Sequence, residues 1–319
     1  MFRKAQRKQA KLRLALAGPS GSGKTYSALL IAKGIGGPVA MIDTERRSGE
    51  LYSHLYEYDV SPIDGPFDPQ AYIDRIKAAE DAGYNVLIID SLSHAWAGVG
   101  GILDIKDRIA KSSRNNNDFT AWREATPKHN ELVDSILKSS CHIIATLRTK
   151  TAYEVIQEEG KKAKVTKLGL AFVQREGLDY EFTVVLDLSI DSHIASSTKD
   201  RTGIFDGQYL TPSEETGRRL LEWLNSGTDP KAELLQQIEN LIRQLNLGDL
   251  QPAYWLYAGN RYQAASVDQL DIPHLQEQLT LLTQCRQNPS KLDQFQKLLA
   301  EMVRQRGGSS GDQSSVLTH

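Results

Sequence analysis

Residues Gly18 to Thr25, GPSGSGKT, restrict the fold more than any other stretch of this chain. They fit the spacing GxxxxGK[ST], in which glycines let successive backbone N–H groups curl around a phosphate without Cβ clashes. The spacing works only with an apolar strand before it and a helix after it, because the helix N-terminus adds the positive end of its dipole. Both are legible: Leu12 to Ala17 reads as a short buried strand, and TYSALLIAKGIGG as a helix stopped by glycines. The phosphate-binding set is therefore Gly18, Pro19, Ser20, Gly21, Ser22, Gly23, Lys24, Thr25 and Tyr26, with Lys24 reaching the β- and γ-phosphates of ATP and the Thr25 hydroxyl ligating Mg²⁺.

The rest of the first two thirds supports an α/β reading. Val39 to Asp43, Asn85 to Asp90 and His142 to Leu147 are further strands, and Asp68–Gly83 and Phe119–Lys138 are helices between them. Strands separated by helices predict a parallel sheet. The pattern then changes. A β-hairpin is expected over TAYEVIQEEGKKAKVTK, two more strands over EFTVVLDLSID and SHIASSTKD, and a helix from Ser213 to Asn225. After the turn residues 226–230, four helical segments follow at 231–246, 249–259, 272–286 and 290–305. The expected organisation is a basic arm over 1–11, an ATPase core over 12–226, a small helical domain over 231–305 and a disordered tail over 306–319.

Asp90 ends the strand NVLIID, the place of the carboxylate that holds Mg²⁺ through water. Many ATPases of the AAA+ type carry their catalytic Glu directly after that Asp; this chain has Ser91. Glu45, just past the end of the second strand, is the candidate base, because the crevice of an open α/β sheet lies beyond the carboxyl ends of its strands. A loop-capping role is the competing reading for Glu45.

MIDTERRSGELY, LIIDSLSH and IIATLRTK, in that order after GPSGSGKT, resemble the core of the RecA/RadA/KaiC recombinase-type ATPases. More narrowly, the chain is similar to RecA-like ATPases of phages and prophages, including the small single-strand annealing recombinases of the Sak type. The resemblance spans about Leu12 to Asn225. It implies a RecA-like P-loop core, with the acid after the second strand as catalytic base, which falls on Glu45. It also implies a γ-phosphate sensor at the end of the fourth strand. Thr146 stands where RecA has Gln, and Arg148 and Lys150 follow it. Thr198 to Gly203 resembles the K-x-R-x-G stretch of RadA and KaiC, in which Lys and Arg reach the ATP of the neighbouring subunit; Lys199 and Arg201 would do so here. The competing reading of that stretch is a strand end with solvated charges.

The partners implied are further copies of the chain, single-stranded DNA, and a single-strand binding or recombination protein. The formal charge of −2 over 319 residues excludes a general polycation, so DNA contact needs local patches. Candidates are Lys111 and Arg114 in the stretch Lys106 to Asp118, taken as a loop, and Lys161, Lys162 and Lys164 near the hairpin turn. Phe119, Trp122 and Tyr153 are candidate base-stacking rings, with core packing as the favoured alternative. The basic N-terminus, including Arg7, Lys8, Lys11 and Arg13, is a further candidate. Residues 231–305 carry seven Lys/Arg and eight Asp/Glu and read as a protein-packing module. Two isolated cysteines, no apolar run of membrane-spanning length and no signal-peptide pattern lead to the expectation of a reduced, cytoplasmic protein. An ATP-gated regulatory or assembly module is the alternative function.

Overall fold

The structure, a computed structural model, describes residues 4–112, 117–156 and 164–308. By internal contacts the chain divides into a unit Ala10–Leu224 and a second unit of residues up to Gln9 together with those from Asn225 onward.

Among the described residues, the larger unit is built on nine strands: β1 (Arg13–Gly18), β2 (Val39–Asp43), β3 (Asp59–Pro62), β4 (Val86–Asp90), β5 (His142–Ile156), β6 (Lys164–Phe172), β7 (Val184–Leu188), β8 (Ala195–Asp200) and β9 (Tyr209–Leu210). The sheet runs in the order β3-β2-β4-β5-β1-β7-β8-β9, with β6 paired to β5 off this path. The pairings from β3 to β7 are parallel; β8, β9 and β6 join antiparallel. The fold is a mostly parallel, helix-flanked α/β sheet, the class read from the sequence.

Every residue of β1, β2 and β4 is buried, which explains their near-continuous apolar runs. Alternate residues serve opposite faces. Ala15, Ile42 and Ile89 pack with Tyr72 and Ile76 of α2 (Pro69–Asp81) and Leu132 and Ile136 of α5 (Asp118–Lys138). Leu14, Leu16, Met41 and Ile88 pack with Leu29 and Ile31 of α1 (Lys24–Ile35) and Leu220 and Leu224 of α6 (Glu214–Asn225). α1 and α6 touch through glycines. A Cβ on Gly34 would stand 1.9 Å from the Glu214 carbonyl oxygen, and one on Gly217 would stand 2.2 Å from that of Ile31. Any side chain at either point drives the helices apart.

Among the described strands and α-helices, four were not expected: β3, β9, α3 (Ser93–Ala97) and α4 (Ile102–Ser112). α4 corrects the loop reading of Lys106 onward. Its charges dominate the sequence, but Ile102, Ile105 and Ala110 are buried on one face, which the helical spacing allows. The fourth expected strand and the first hairpin strand are one continuous element, β5.

Arg13 is buried, which removes it from the nucleic-acid candidates. Its guanidinium donates to the carbonyls of Leu12, Leu137, Ser139 and Cys141, closing the C-terminal end of α5. Beside it, the Leu12 N–H donates to His142 Nδ1 at 3.1 Å, and burial, then Lys11 and Arg13, push that imidazole down to about 4. The unfolded chain therefore takes up a proton near pH 6.5 that the folded chain refuses until about 4, so stability falls as pH drops through that window, by up to about 3 kcal/mol. His142→Gln keeps an acceptor without the titration. Urea unfolding at about pH 7 and about pH 5 should show a smaller loss for the variant than for the natural chain.

In the second unit, α7 (Pro230–Gln244), α8 (Gln251–Tyr262), α9 (Ile272–Gln287) and α10 (Pro289–Gly308) enclose Ile238, Tyr254, Leu275, Leu282 and Leu299. The N-terminal segment is anchored here. Lys8 bridges to Thr228 in parallel, the Gln9 N–H donates to the Thr228 carbonyl at 3.0 Å, and Lys8 pairs with Glu233 at 2.7 Å. Of the tail expected over 306–319, residues 306–308 continue α10, which corrects that start, and the rest lie outside the described residues. Among the described residues no helix is long and apolar enough to cross a membrane.

Candidate functional site

β1, β2, β4 and β5 run parallel, so the residues that follow them emerge at one edge of the sheet. Gly21 and Gly23 have φ of 80° and 87°, and Gly23 is the N-cap of α1. A Cβ at Gly21 would meet nothing within 4 Å, so the need for glycine there is its left-handed backbone and not crowding. The Ser22 hydroxyl is buried and has no hydrogen-bond partner among the described residues. Lys24 Nζ donates to the carbonyls of Gly18 and Pro19, at 2.9 and 2.7 Å, and burial pulls its pKa below the usual lysine range. Glycine loop, helix N-terminus and desolvated ammonium fit a phosphate chain.

Asp90 sits at the end of β4, 2% exposed. Thr25 Oγ1 donates to its Oδ2 at 2.6 Å and Thr146 Oγ1 to its Oδ1 at 2.5 Å. Burial raises its pKa, against the pull of the two hydroxyls. The hydroxyl–carboxylate pair Thr25 and Asp90 suits a hard cation such as Mg²⁺. Thr146 is wholly buried, donates its hydroxyl to Asp90 and does not line the phosphate-loop cavity.

Glu45 opens a tight loop after β2. Asp43 folds the loop: its carboxylate accepts from the Glu45 N–H at 2.6 Å and the Gly49 N–H at 2.8 Å. Arg46 and Arg47 take left-handed φ of 57° and 64°, a strained pair that those hydrogen bonds offset. The sequence reading missed Asp43, which is buried and so reads as strand. Asp43→Ala leaves two N–H groups unsatisfied. The expected result is a loss of about 1–3 kcal/mol in urea unfolding, together with slower nucleotide turnover because the backbone that positions Glu45 loses its anchor.

The Glu45 carboxylate is gripped by Arg148: Nε donates to Oε1 at 2.9 Å and Nη2 donates to Oε2. Ser20, Gly21, Lys24, Thr25, Asp90 and this pair line one cavity of about 600 Å³. Ser48 and Tyr52, from the 3₁₀ turn after Glu45, line it too and were not expected. Tyr52 meets Tyr26 edge to face, with ring centroids 6.0 Å apart. Tyr26 itself is half exposed and does not line the cavity.

The sequence matches AAA_24, an AAA domain, over residues 10–220, well over half of the chain. The chain belongs to that family. No curated protein matches it. Among solved structures it is similar to the RadB recombinase, with 17% identity over 69% of this chain and 92% of that one and a TM-score of 0.35, a likeness too distant to carry function.

Within the AAA domain, Lys199 and Arg201 lie far from the phosphate loop. β8 runs antiparallel to β7, and Asp200 stands opposite Val184, which pairs with Leu14 near the start of β1. Gly18 is four positions further along β1, about 13 Å at strand rise. Both cations turn onto the chain's own 3₁₀ turn. Arg201 Nη2 donates to the Tyr180 carbonyl at 2.7 Å, and Lys199 Nζ donates to that carbonyl and, at 2.9 Å, to that of Asp179. They share one side, as their spacing implies, and neither lines the cavity.

Of the DNA candidates, Lys111 is exposed at the end of α4, and Lys164 opens β6. Arg114, Lys161 and Lys162 lie outside the described residues. Lys106 is paired with Asp107 and Asp118. Trp122 stacks on Trp96 at 5.8 Å beside Ile102 and Ile105, the packing alternative; Phe119 is 82% exposed.

Proposed function

We propose that this chain binds and hydrolyses ATP with Mg²⁺ at the cavity beneath the phosphate loop, and couples that cycle to oligomerisation on single-stranded DNA in recombination or strand annealing. In this reading the chain acts as a single-strand annealing recombinase of the phage type. The observation that carries the reading is the convergence of Lys24, Thr25, Glu45 and Asp90 on one cavity at the carboxyl edge of the sheet.

In this reading the loop N–H groups from Ser20 to Thr25 hold the phosphates, and Lys24 exchanges its two carbonyl partners for β- and γ-phosphate oxygens. Thr25 and Asp90 would hold Mg²⁺, with Thr146 fixing the Asp90 carboxylate. The cation supplies charge neutralisation on the phosphates when bound. Tyr52 offers its ring to the base or ribose. Glu45 accepts the proton of a water that attacks the γ-phosphorus as the bond to the bridging oxygen breaks. Arg148 acts through Glu45, which it holds.

Lys199 and Arg201 would supply transition-state cations to the next subunit's ATP. Their distance from the chain's own phosphate loop favours action in trans. The test mixes Arg201→Ala with Lys24→Ala protein, each expected to hydrolyse poorly alone. Mixed interfaces pair an intact loop with an intact Arg201, so partial recovery of ATP turnover is expected. No recovery in a mixture shown to co-assemble would make Arg201 a structural residue. The alternative, a slow ATP-gated regulatory module, draws on the Glu45–Arg148 ion pair, and DNA-independent turnover would favour it.

A further inference from the structure

A second cavity, of about 660 Å³, lies on the far side of the Glu45–Arg148 pair. It shares those two residues with the nucleotide cavity, and none of the phosphate loop lines it. Its own lining includes Arg46, Phe67 and His94, with Asp64 as the other acid. Phe67 and His94 stack with centroids 4.7 Å apart, and Thr44 Oγ1 lies 2.7 Å from His94 Nδ1, which fixes the imidazole's rotation. Arg46 is exposed and makes no hydrogen bond or ion pair among the described residues. A flat stacked pair beside one uncommitted and one paired guanidinium is the chemistry that takes a base and a phosphodiester.

Arg148 also holds a special place in the backbone. It is the last residue of β5 paired to β1, opposite Gly18, and Thr149 is the first paired to β6. Arg148 is thus the junction between the parallel sheet and the β5–β6 hairpin. Its N–H donates to Ser93 Oγ at 2.9 Å, and its carbonyl accepts from the Val173 N–H at 2.7 Å. Its backbone is fixed, so a change of partner falls to the guanidinium.

We propose that the second cavity seats one nucleotide of a single-stranded polynucleotide, base on the Phe67–His94 stack and phosphodiester on Arg46 and Arg148, and that this phosphodiester draws Arg148 off Glu45. The proposal rests on the reading of Glu45 as the hydrolytic base. With Arg148 on both of its oxygens, the Glu45 carboxylate has its acceptor positions occupied; once Arg148 leaves, they are open to a water in the nucleotide cavity. Arg148 is then a positioning residue and a latch.

The test uses the full-length chain, a fluorescent oligo-dT strand and fluorescence anisotropy at low salt, without ATP. Arg46→Glu should weaken binding at least about tenfold and reduce the salt slope by about 0.7 for each phosphate that is no longer neutralised. In turnover assays, Arg148→Ala should hydrolyse ATP faster than the natural chain without oligonucleotide and respond to it little, while Arg148→Lys keeps part of the response. Equal thermal unfolding temperatures guard against misfolding. Oligo-dT binding unchanged in Arg46→Glu, no binding by the natural chain, or slower unstimulated turnover in Arg148→Ala each overturns the proposal. A fluorescent ATP analogue tests the nucleotide reading separately. If the natural chain does not bind it, that reading fails, and the Arg46 arm still decides the occupant of the cavity.

Discussion

Lys24→Ala protein is expected to fold and to lose ATP binding. In the structure the ammonium satisfies the carbonyls of Gly18 and Pro19. Gly18 ends the buried strand β1 and Pro19 follows it half-buried, but Lys24 reaches both from the cavity, so water replaces the ammonium when it is deleted, and the cost to stability is about 1 kcal/mol. The cost to binding is larger. A phosphate chain loses its charge-assisted partner in a partly desolvated cavity, and affinity should fall about 10²-fold or more. Titration with a fluorescent ATP analogue, alongside a thermal melt, checks both halves. Near-natural affinity in a folded variant would remove the phosphate-loop assignment.

Glu45→Gln separates binding from chemistry. The amide keeps the size of the carboxylate and one acceptor for Arg148, and leaves Lys24, Thr25 and Asp90 in place. ATP should bind within a few-fold of the natural affinity. Turnover should drop about 10²-fold or more, because an amide cannot take the proton of the attacking water. Single-turnover and steady-state phosphate release are the measurements. Unchanged turnover would move the base elsewhere. Glu50 is the next acid to test in sequence, although it is exposed and does not line the cavity.

The two substitutions also bear on the ion pair. If Arg148 restrains Glu45, Glu45→Gln should lose its response to oligonucleotide together with its turnover, whereas Arg148→Ala loses the response alone. That split separates a missing base from a missing latch.

The sequence alone determined the parts of this protein that local chemistry dictates. GPSGSGKT needs its glycines at those positions whatever the rest of the chain does, and β1, β2 and β4 announce themselves as apolar runs because both faces are covered. Lys24 and Thr25 could be named from the phosphate-loop spacing, and Glu45 and Asp90 from their places at strand ends. The short edge strands β3 and β9 and the charged helix α4 could not be placed, since their patterns are brief or masked by surface charge. Tertiary structure alone decided which groups meet. Sequence places Arg148 103 positions from Glu45, and only the parallel register of β2, β4 and β5 brings the two together. The same register gives Thr146 to Asp90. The antiparallel return of β8 carries Lys199 and Arg201 to the end of the sheet opposite the phosphate loop. Spacing along a strand fixes which side a residue faces; the direction of the strand, and hence which end of the sheet it reaches, is fixed by pairing between segments far apart in the chain.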